Sequence, residues 1–147
     1  MTDFMSPEQR SKAMAKVRGG DTRIERELRA LLHRSGFRFR KNVRQLPGCP
    51  DIVFPRYRAV IFVHGCFWHQ HPGCAKSTIP RTRSEFWLNK LRGNQERDSR
   101  AINELSDMGW RVAVIWECQL KDNVSKTTIL NRTIEWLLSD NMKCLCF

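Results

Sequence analysis

The 147-residue sequence lacks any apolar run approaching the ~20 residues that a membrane-spanning helix requires. Its first ten residues, MTDFMSPEQR, also lack the apolar stretch of a secretory signal peptide. The sequence contains no internal repeat and no low-complexity segment. These absences predict one domain, spanning residues 1–147, in the cytoplasm, where thiols stay reduced and no membrane partner is expected.

Acidic residues are scarce relative to basic ones. The chain has 15 Asp and Glu against 26 Lys and Arg, which gives a formal net charge of +11 and a pI near 10. Such an excess is typical of proteins that bind a polyanion, most often nucleic acid. A basic protein without such a partner is the alternative, whereas an anionic membrane fits less well because the basic residues are scattered.

The hydrophobic pattern predicts alternating helices and strands. Helices are predicted over residues 6–18, from Asp21 or Thr22 to Gly36, over 85–107 and over 126–138, and strands over 37–40, 51–54, 58–63 and 110–116. The turn at Pro55-Arg56 predicts a hairpin between the second and third strands. This order predicts an α/β sandwich with a mixed central sheet and helices on both faces. Residues 1–20 are expected to contain a basic helix, and residues 141–147 a flexible tail.

A ligand-rich segment follows the third predicted strand. Cys66, His71 and Cys74 have C-x4-H-x2-C spacing, which allows consecutive ligands to converge on one tetrahedral zinc ion. Cys118 is the best candidate for a fourth ligand, because sheet pairing could bring the end of the 110–116 strand beside this segment. The alternative is that these are free thiols and surface histidines, with Cys118 in the core. Three other cysteines are predicted to be plain thiols: Cys49, Cys144 and Cys146.

A possible nuclease site lies where two predicted strands meet. Pro50-Asp51 opens one strand and Val63-His64 ends the next, as in metal-dependent nucleases of the PD-(D/E)xK type. No D/E-x-K follows, so a backbone carbonyl would have to bind the metal and a histidine would replace the lysine. Glu25, on the second predicted helix, is from its pattern alone a solvated charge.

Aromatic residues are interleaved with basic ones in two places. Phe67-Trp68 lies among the candidate ligands, where a core is hard to build, and an exposed position is therefore predicted. Phe86-Trp87 begins a long helix near Lys90 and Asn94. Exposed aromatics beside basic groups can stack on bases or wedge between them. For Phe86-Trp87, packing into the core is an equal alternative.

Several stretches together resemble the very short patch repair (Vsr) DNA mismatch endonucleases. They are RSKAMAKVRGGDTRIE (10–25), LPGCPD (46–51), VIFVHGCFWHQH (60–71), RTRSEFWLNK (81–90), NQERD (94–98) and GWRVAVIWEC (109–118). The resemblance covers roughly residues 10–140. It implies a fold like that of type II restriction endonucleases, and nicking 5′ to the thymine of T·G mismatches that arise from deamination of 5-methylcytosine. The implied setting is a monomer in the bacterial cytoplasm, acting on nucleoid DNA with other repair proteins as further partners.

The resemblance also implies roles for individual residues. Asp51 would bind catalytic Mg²⁺ together with the carbonyl of Val63, a position where many members have threonine. His69 would act as general acid/base, His64 would assist at the phosphate, and Glu25 would support the site through water. The implied ligands of a structural Zn²⁺ are Cys66, His71, Cys74 and Cys118. The implied DNA contacts are Met14, Phe67, Trp68, Trp87, Lys90 and Asn94.

One departure from the family concerns the catalytic segment. The usual PGRPD reads PGCPD here, so that Cys49 stands where an arginine is expected. This substitution bears on sequence context or rate. Two alternatives therefore stay open: a related nuclease of the same fold with relaxed context or a restriction-type substrate, and a non-catalytic, zinc-stabilised DNA-binding module.

Overall fold

The computed structural model describes residues 22–139 and 144–146. The predicted helix over residues 6–18, including Met14, lies outside the described residues. Within them, the helices are α1 (Arg23–Arg34), α2 (Ser84–Asp107) and α3 (Asn123–Leu138). The strands are β1 (Arg40–Lys41), β2 (Ile52–Phe54), β3 (Ala59–His64), β4 (Arg111–Trp116) and β5 (Cys144–Cys146). No helix in this part of the chain is long and apolar enough to cross a membrane.

The five strands form one mixed sheet in the order β1-β2-β3-β4-β5. The β1–β2 and β2–β3 pairs are antiparallel, whereas β3–β4 and β4–β5 are parallel. The predicted hairpin is confirmed: a short 3-10 helix, Pro55–Tyr57, links β2 to β3, and Arg58 closes it in a left-handed conformation. The long α2 provides the crossover that a parallel β3–β4 pair requires. The start of β2 and the ends of β3 and β4 therefore meet at one edge of the sheet.

Helices cover both faces of the sheet, as predicted. Alternation along β3 sends Ile61 toward α1 and α3, and Val60 and Phe62 toward α2. The larger cluster includes Leu28 of α1 and Trp136 of α3, both almost fully buried. The candidate site lies at the end of β3, between residues of α1 and α2.

Capping side chains set the starts of α1 and α3. The side chain of Thr22 accepts a hydrogen bond of 3.3 Å from the backbone N–H of Glu25, so α1 begins where its sequence predicted. Gly36 follows the last turn of α1 with φ +96°, a conformation suited to glycine. Asp122 caps α3 through the N–H of Ser125, so that this helix begins at Asn123, three residues before the predicted start.

Two strand predictions differ from the structure. Only Arg40–Lys41 pairs as β1, whereas Phe37 and Phe39 contact Phe54 through edge-to-face ring contacts at 6.2 and 5.9 Å without joining the ladder. The alternation of apolar and basic residues over 37–40 therefore reflects burial of the two rings rather than strand pairing. At the other edge, Cys144–Cys146 forms β5 beside β4, a strand that was not predicted. Flexibility of the segment 141–147 stays a prediction.

Candidate active site and metal centre

A cleft of about 1070 Å³ opens at the edge of the sheet where β2 begins and β3 ends. Its walls come from the start of α1, the turn before β2, the segment after β3 and the middle of α2. Nine predicted site residues line it: Glu25, Asp51, Val63, His64, Phe67, Trp68, His69, Lys90 and Asn94. Residues far apart in sequence therefore share one cavity.

Two carboxyl groups face each other in this cleft. The side chain of Asp51 hydrogen-bonds that of Glu25, and its Oδ2 accepts a bond of 2.7 Å from the backbone N–H of Val63. Burial and the nearby charge of Glu25 raise the pKa of Asp51 to about 7. Two buried carboxylates repel one another unless a proton or a cation lies between them. The pair has the chemistry of a divalent cation site.

Glu25 is 5% exposed, so its interpretation as a solvated helix charge was wrong. It lies on the same face of α1 as Leu28 and Leu32, both buried, at i, i+3 and i+7 spacing. Its Oε2 lies 3.5 Å from Nη1 of Arg29, one turn later on the helix. The packed helix thus holds the carboxylate of Glu25 toward Asp51, the residue that precedes β2.

Two histidine rings stack in the same cleft. His64 and His69 lie with ring centroids 3.9 Å apart and planes 7° from parallel. The Nδ1 of His69 lies 2.6 Å from Oδ2 of Asp98, on α2. This contact favours a proton on Nδ1, which assigns proton exchange to Nε2. Burial, then the charge of His69, lowers the pKa of His64 to about 3, so His64 is neutral near pH 7.

Asp98 had no role assigned from the sequence. It lies one helical turn after Asn94 on α2, and both side chains line the cleft. The signal that could have identified it is this i, i+4 spacing on a helix that also carries Lys90 and Asn94 in the cleft.

The four predicted zinc ligands converge on one point. The donor atoms of Cys66, His71, Cys74 and Cys118 all lie within 4.8 Å of one another. The Nδ1 of His71 lies 3.7 Å from Sγ of Cys66 and 3.4 Å from Sγ of Cys118. Ligands of a tetrahedral ion with bonds of about 2.0–2.3 Å are separated by similar distances. These residues can hold a metal ion.

The register of the sheet brings Cys118 to this group. His64 of β3 is paired with Trp116 of β4 in the parallel ladder, so Cys66 and Cys118 each lie two residues beyond a matched pair. The predicted approach of Cys118 to the loop by sheet pairing is therefore confirmed. Its alternative, a core cysteine, does not hold, since the thiol is half-buried among the other ligands.

Local hydrogen bonds shape the ligand loop. The N–H of His71 donates to the carbonyl of Cys66 at 2.9 Å, and that of Cys74 donates to the carbonyl of His71 at 3.3 Å. The hydroxyl of Ser77 reaches the carbonyls of Cys66 and His71 at 3.1 and 2.6 Å. The ring of His71 stacks on Trp116 at 4.3 Å. Burial raises the pKa of Cys66 to about 12 without a cation, and a bound metal favours the thiolate.

Three aromatic rings pack together, and two of them line the cleft. Phe67 and Trp68 lie 5.6 and 5.9 Å from Trp87, centroid to centroid. Phe67 and Trp68 are half-buried rather than exposed as predicted, because each rests on Trp87. Trp87 itself is 7% exposed, which agrees with core packing, whereas Phe86 is 46% exposed. We call Phe67, Trp68 and Trp87 the aromatic cluster.

Asn94 secures the aromatic cluster from α2. Its side-chain amide donates to the carbonyl of Trp68 at 3.0 Å, and its amide oxygen accepts from Arg97. Lys90 lies one turn earlier and lines the same cleft. The aromatic cluster therefore stands beside two cationic side chains, a combination suited to a nucleic acid.

The turn before Asp51 is tightly packed. Gly48 has φ +74°, and a Cβ there would lie 2.6 Å from Cβ of Ala101 and 3.2 Å from the ring of Phe62. The following residue, Cys49, also has a positive φ of 51° and lines the cleft. Its thiol pKa is raised by burial and by Asp51, consistent with the predicted plain thiol.

We expect Gly48→Ala to lower the free energy of unfolding by about 2–4 kcal/mol, since it adds a steric clash to an unfavourable φ. Gly36→Ala is the matched control, because Gly36 has φ +96° and nothing within 4 Å of its would-be Cβ. That variant should lose only about 1 kcal/mol. Urea denaturation of both measures the difference. Equal losses would contradict the close approach of Gly48 to Ala101.

Buried carboxylates, a histidine held by an aspartate and adjacent cationic groups form a site suited to metal-assisted phosphodiester hydrolysis. Similarity to known proteins also points to a nuclease. The sequence model described as DNA mismatch endonuclease Vsr matches residues 2–76. The chain belongs to this family, as the sequence resemblance predicted, and is thereby a DNA endonuclease.

Similar proteins cover almost the whole chain. A type II nicking enzyme, V.XorIIP, of Xanthomonas oryzae pv. oryzae is 51% identical over 122 residues, which is 83% of this chain and 89% of that protein. The DNA mismatch endonuclease Vsr of Escherichia coli K12 is 43% identical over 142 residues, 95% of this chain and 90% of that protein. The type II nicking enzyme V.NmeAIP of Neisseria meningitidis serogroup A is 42% identical over 134 residues, 91% of this chain and 95% of that protein.

Proposed function

We propose that this protein nicks one strand of duplex DNA, 5′ to the thymine of a T·G mismatch that arises from deamination of 5-methylcytosine. The observation that carries the proposal is one cleft with the Asp51–Glu25 carboxyl pair beside the His69–Asp98 pair. A relative named as a mismatch endonuclease and others named as nicking enzymes support it. The proposed fold type is that of the type II restriction endonucleases.

Two metal ions are proposed, with separate tasks. Asp51 and the carbonyl of Val63 would hold Mg²⁺, and the raised pKa of Asp51 fits a carboxylate whose charge a cation offsets. Bound Mg²⁺ supplies polarisation of the phosphate and a lowered pKa for a bound water. The four Cys and His ligands would hold Zn²⁺, because three thiolates and an imidazole are the donors that this ion favours.

The protein groups divide the proton chemistry between them. Asp98 keeps a proton on Nδ1 of His69, which leaves Nε2 to exchange a proton as general acid/base. His64, neutral and stacked beneath His69, can donate a ring N–H to a phosphate oxygen without adding charge. Glu25 orients water at Asp51. This division explains why a histidine stands where related nucleases have lysine.

Selectivity for a mispair is assigned to the aromatic cluster. Phe67 and Trp68 would enter the base stack, supported from below by Trp87. A mispaired step costs less to unstack than a Watson–Crick step, so the wedge favours mismatched DNA. Lys90 and Asn94, on the wall beside the cluster, would contact the mispaired bases, and Met14 would reach the duplex from the N-terminal helix.

The experiment is a panel of duplexes with one T·G mismatch in varied flanks, with T·A controls and separate labels on the two strands. The expected result is a Mg²⁺-dependent nick on the thymine strand only. Nicking at every flank would favour the relaxed-context alternative, for which Cys49 in place of arginine is the motivating residue. Tight binding without any Mg²⁺-dependent nick would contradict the proposal in favour of a DNA-binding module.

We expect Asp98→Asn to lower the single-turnover nicking rate by about 100-fold. Without the carboxylate, the tautomer and the ring orientation of His69 are no longer fixed. The Kd for mismatched duplex should change less than about threefold. Asp107→Asn is the control, since Asp107 is exposed at the far end of α2. A rate loss shared by both variants, or a parallel loss of binding by Asp98→Asn, would assign Asp98 a purely structural role.

A further inference from the structure

A second, strongly basic groove lies between the later half of α1 and β1. Its volume is about 560 Å³. Five basic side chains and one aromatic ring line it: Arg29, His33, Arg34, Arg40, Lys41 and Phe39. Among the described residues that line it, none is acidic. We call this the α1–β1 groove.

The α1–β1 groove continues the catalytic cleft. Glu25 lines the cleft, and Arg29, its ion-pair partner one turn later, lines the groove. On the β1 side, Lys41 lines the groove and the next residue, Asn42, lines the cleft. The Glu25–Arg29 pair is therefore the boundary between the two cavities.

The groove and the aromatic cluster lie on opposite sides of Asp51. In the sheet, β1 flanks β2 on one side, and β3 flanks it on the other. The aromatic cluster comes from the segment after β3 and from α2, whereas the groove is built on β1 and α1. A DNA strand that passes Asp51 from the side of the aromatic cluster is thus directed toward the groove.

The charges of the groove are available to a ligand. His33, Arg34, Arg40 and Lys41 are all exposed. The nearest other acid on α1, Glu27, is bound by Arg23 at 3.0 Å and Lys126 at 2.8 Å. A helix dipole accounts for His33 and Arg34, and protection of an edge strand for Lys41. Neither effect explains why cations from both elements converge on one groove.

We propose that the α1–β1 groove binds the phosphate backbone of the substrate duplex on the side of the cut away from the aromatic cluster. This inference rests on the proposed action on DNA. From Glu25 to Arg34 the helix rises about 13.5 Å, which corresponds to roughly four base pairs of a strand. Phosphate contacts position a duplex without reading its sequence, so the groove would contribute affinity and register.

The test is a triple variant, Arg34→Gln with Arg40→Gln and Lys41→Gln, whose binding to a mismatched duplex is measured without Mg²⁺ from 50 to 300 mM salt. The slope of log K against log salt is negative, and removal of one phosphate-binding cation reduces its magnitude by about 0.9. For the triple variant, the magnitude of the slope should therefore fall by about 2–3. The Kd at 150 mM salt should rise by about 10- to 100-fold. Single-turnover nicking at saturating protein should stay within about twofold.

A matched triple variant removes the same charge elsewhere. Arg56, Arg100 and Lys121 are exposed and do not line either cavity, and Arg56 lies in the turn at the opposite end of the sheet. Their substitution by glutamine should leave the slope within about 0.5 of the parent protein. Melting temperatures of both triples are compared. If the groove triple does not fold, the pair Arg34→Gln with Lys41→Gln carries the test, with a smaller expected fall of about 2.

Duplexes shortened on one side of the cut locate the contact. The effect of the groove triple should disappear on the duplex that is shortened on the side of the cut away from the aromatic cluster. It should persist on the duplex that is shortened on the side of the aromatic cluster. A slope equal to that of the matched triple, or an effect that persists on both short duplexes, overturns the inference. A slope change without any nicking by the parent protein would support phosphate binding by the groove and contradict the proposed function. Normal nicking with an unchanged slope would support the proposed function and contradict phosphate binding by the groove.

Discussion

Replacement of Asp51 by asparagine should abolish nicking. We expect the single-turnover rate to fall by about 1000-fold or more, since several kcal/mol of metal-derived stabilisation of the transition state would be lost. Asparagine keeps the size of the side chain and an oxygen that can accept from the N–H of Val63 at the 2.7 Å contact. It removes only the charge that is proposed to bind Mg²⁺, so affinity for mismatched duplex should change by less than about threefold.

The stability of Asp51→Asn should separate a functional from a structural role. In the metal-free protein, Asp51 faces the carboxyl group of Glu25, and burial opposes its charge. Loss of that charge should leave the melting temperature unchanged or raise it. A large fall in activity with an undiminished melting temperature identifies a group that the fold does not need. Nicking within tenfold of the parent rate would contradict the assigned role of Asp51.

Loss of the Cys and His centre should affect both fold and activity. We expect Cys118→Ala to lower the melting temperature by on the order of 10 °C, because a structural metal contributes several kcal/mol to folding. Zinc content measured by mass spectrometry should fall from near one per chain to near zero. Activity should be lost in parallel, because Cys66 and His71 enclose the segment that carries Phe67, Trp68 and His69.

Cys49→Ala is the matched control for that experiment. Cys49 is an exposed thiol outside the ligand group, so its removal should leave zinc content and melting temperature unchanged. Treatment of the parent protein with a chelator should reproduce the effect of Cys118→Ala. A zinc-free protein that stays folded and nicks DNA at the parent rate would refute the structural role of this centre.

Much of the fold follows from short-range pattern. The hairpin was predicted from Pro55-Arg56 between two apolar runs, and the start of α1 from Thr22, because turns and caps depend on neighbouring residues. The clustering of Cys66, His71, Cys74 and Cys118 was predictable for a related reason. Three of these residues are close in sequence, and Cys118 follows a strand that parallel pairing aligns with β3.

What the sequence did not predict depends on packing between distant segments. The burial of Glu25 follows from the contact of α1 with the start of β2, which no local pattern shows apart from its helical spacing with Leu28. Asp98 contacts His69 only because the fold places α2 beside the cleft. The strand β5 pairs with β4, although the whole of α3 lies between them in sequence. Such contacts require the tertiary structure.

The segment from Cys66 to His71 is constrained in length more than in composition. Its first residue is fixed by a hydrogen bond from its N–H to Oε1 of Glu117 at 3.1 Å, and its last by the 2.9 Å bond back to the carbonyl of Cys66. Insertion or deletion of one residue between them would displace the aromatic cluster and His69 at the same time. Related chains should therefore vary in loop length only after His71, where Gly73 has nothing within 4 Å of its would-be Cβ.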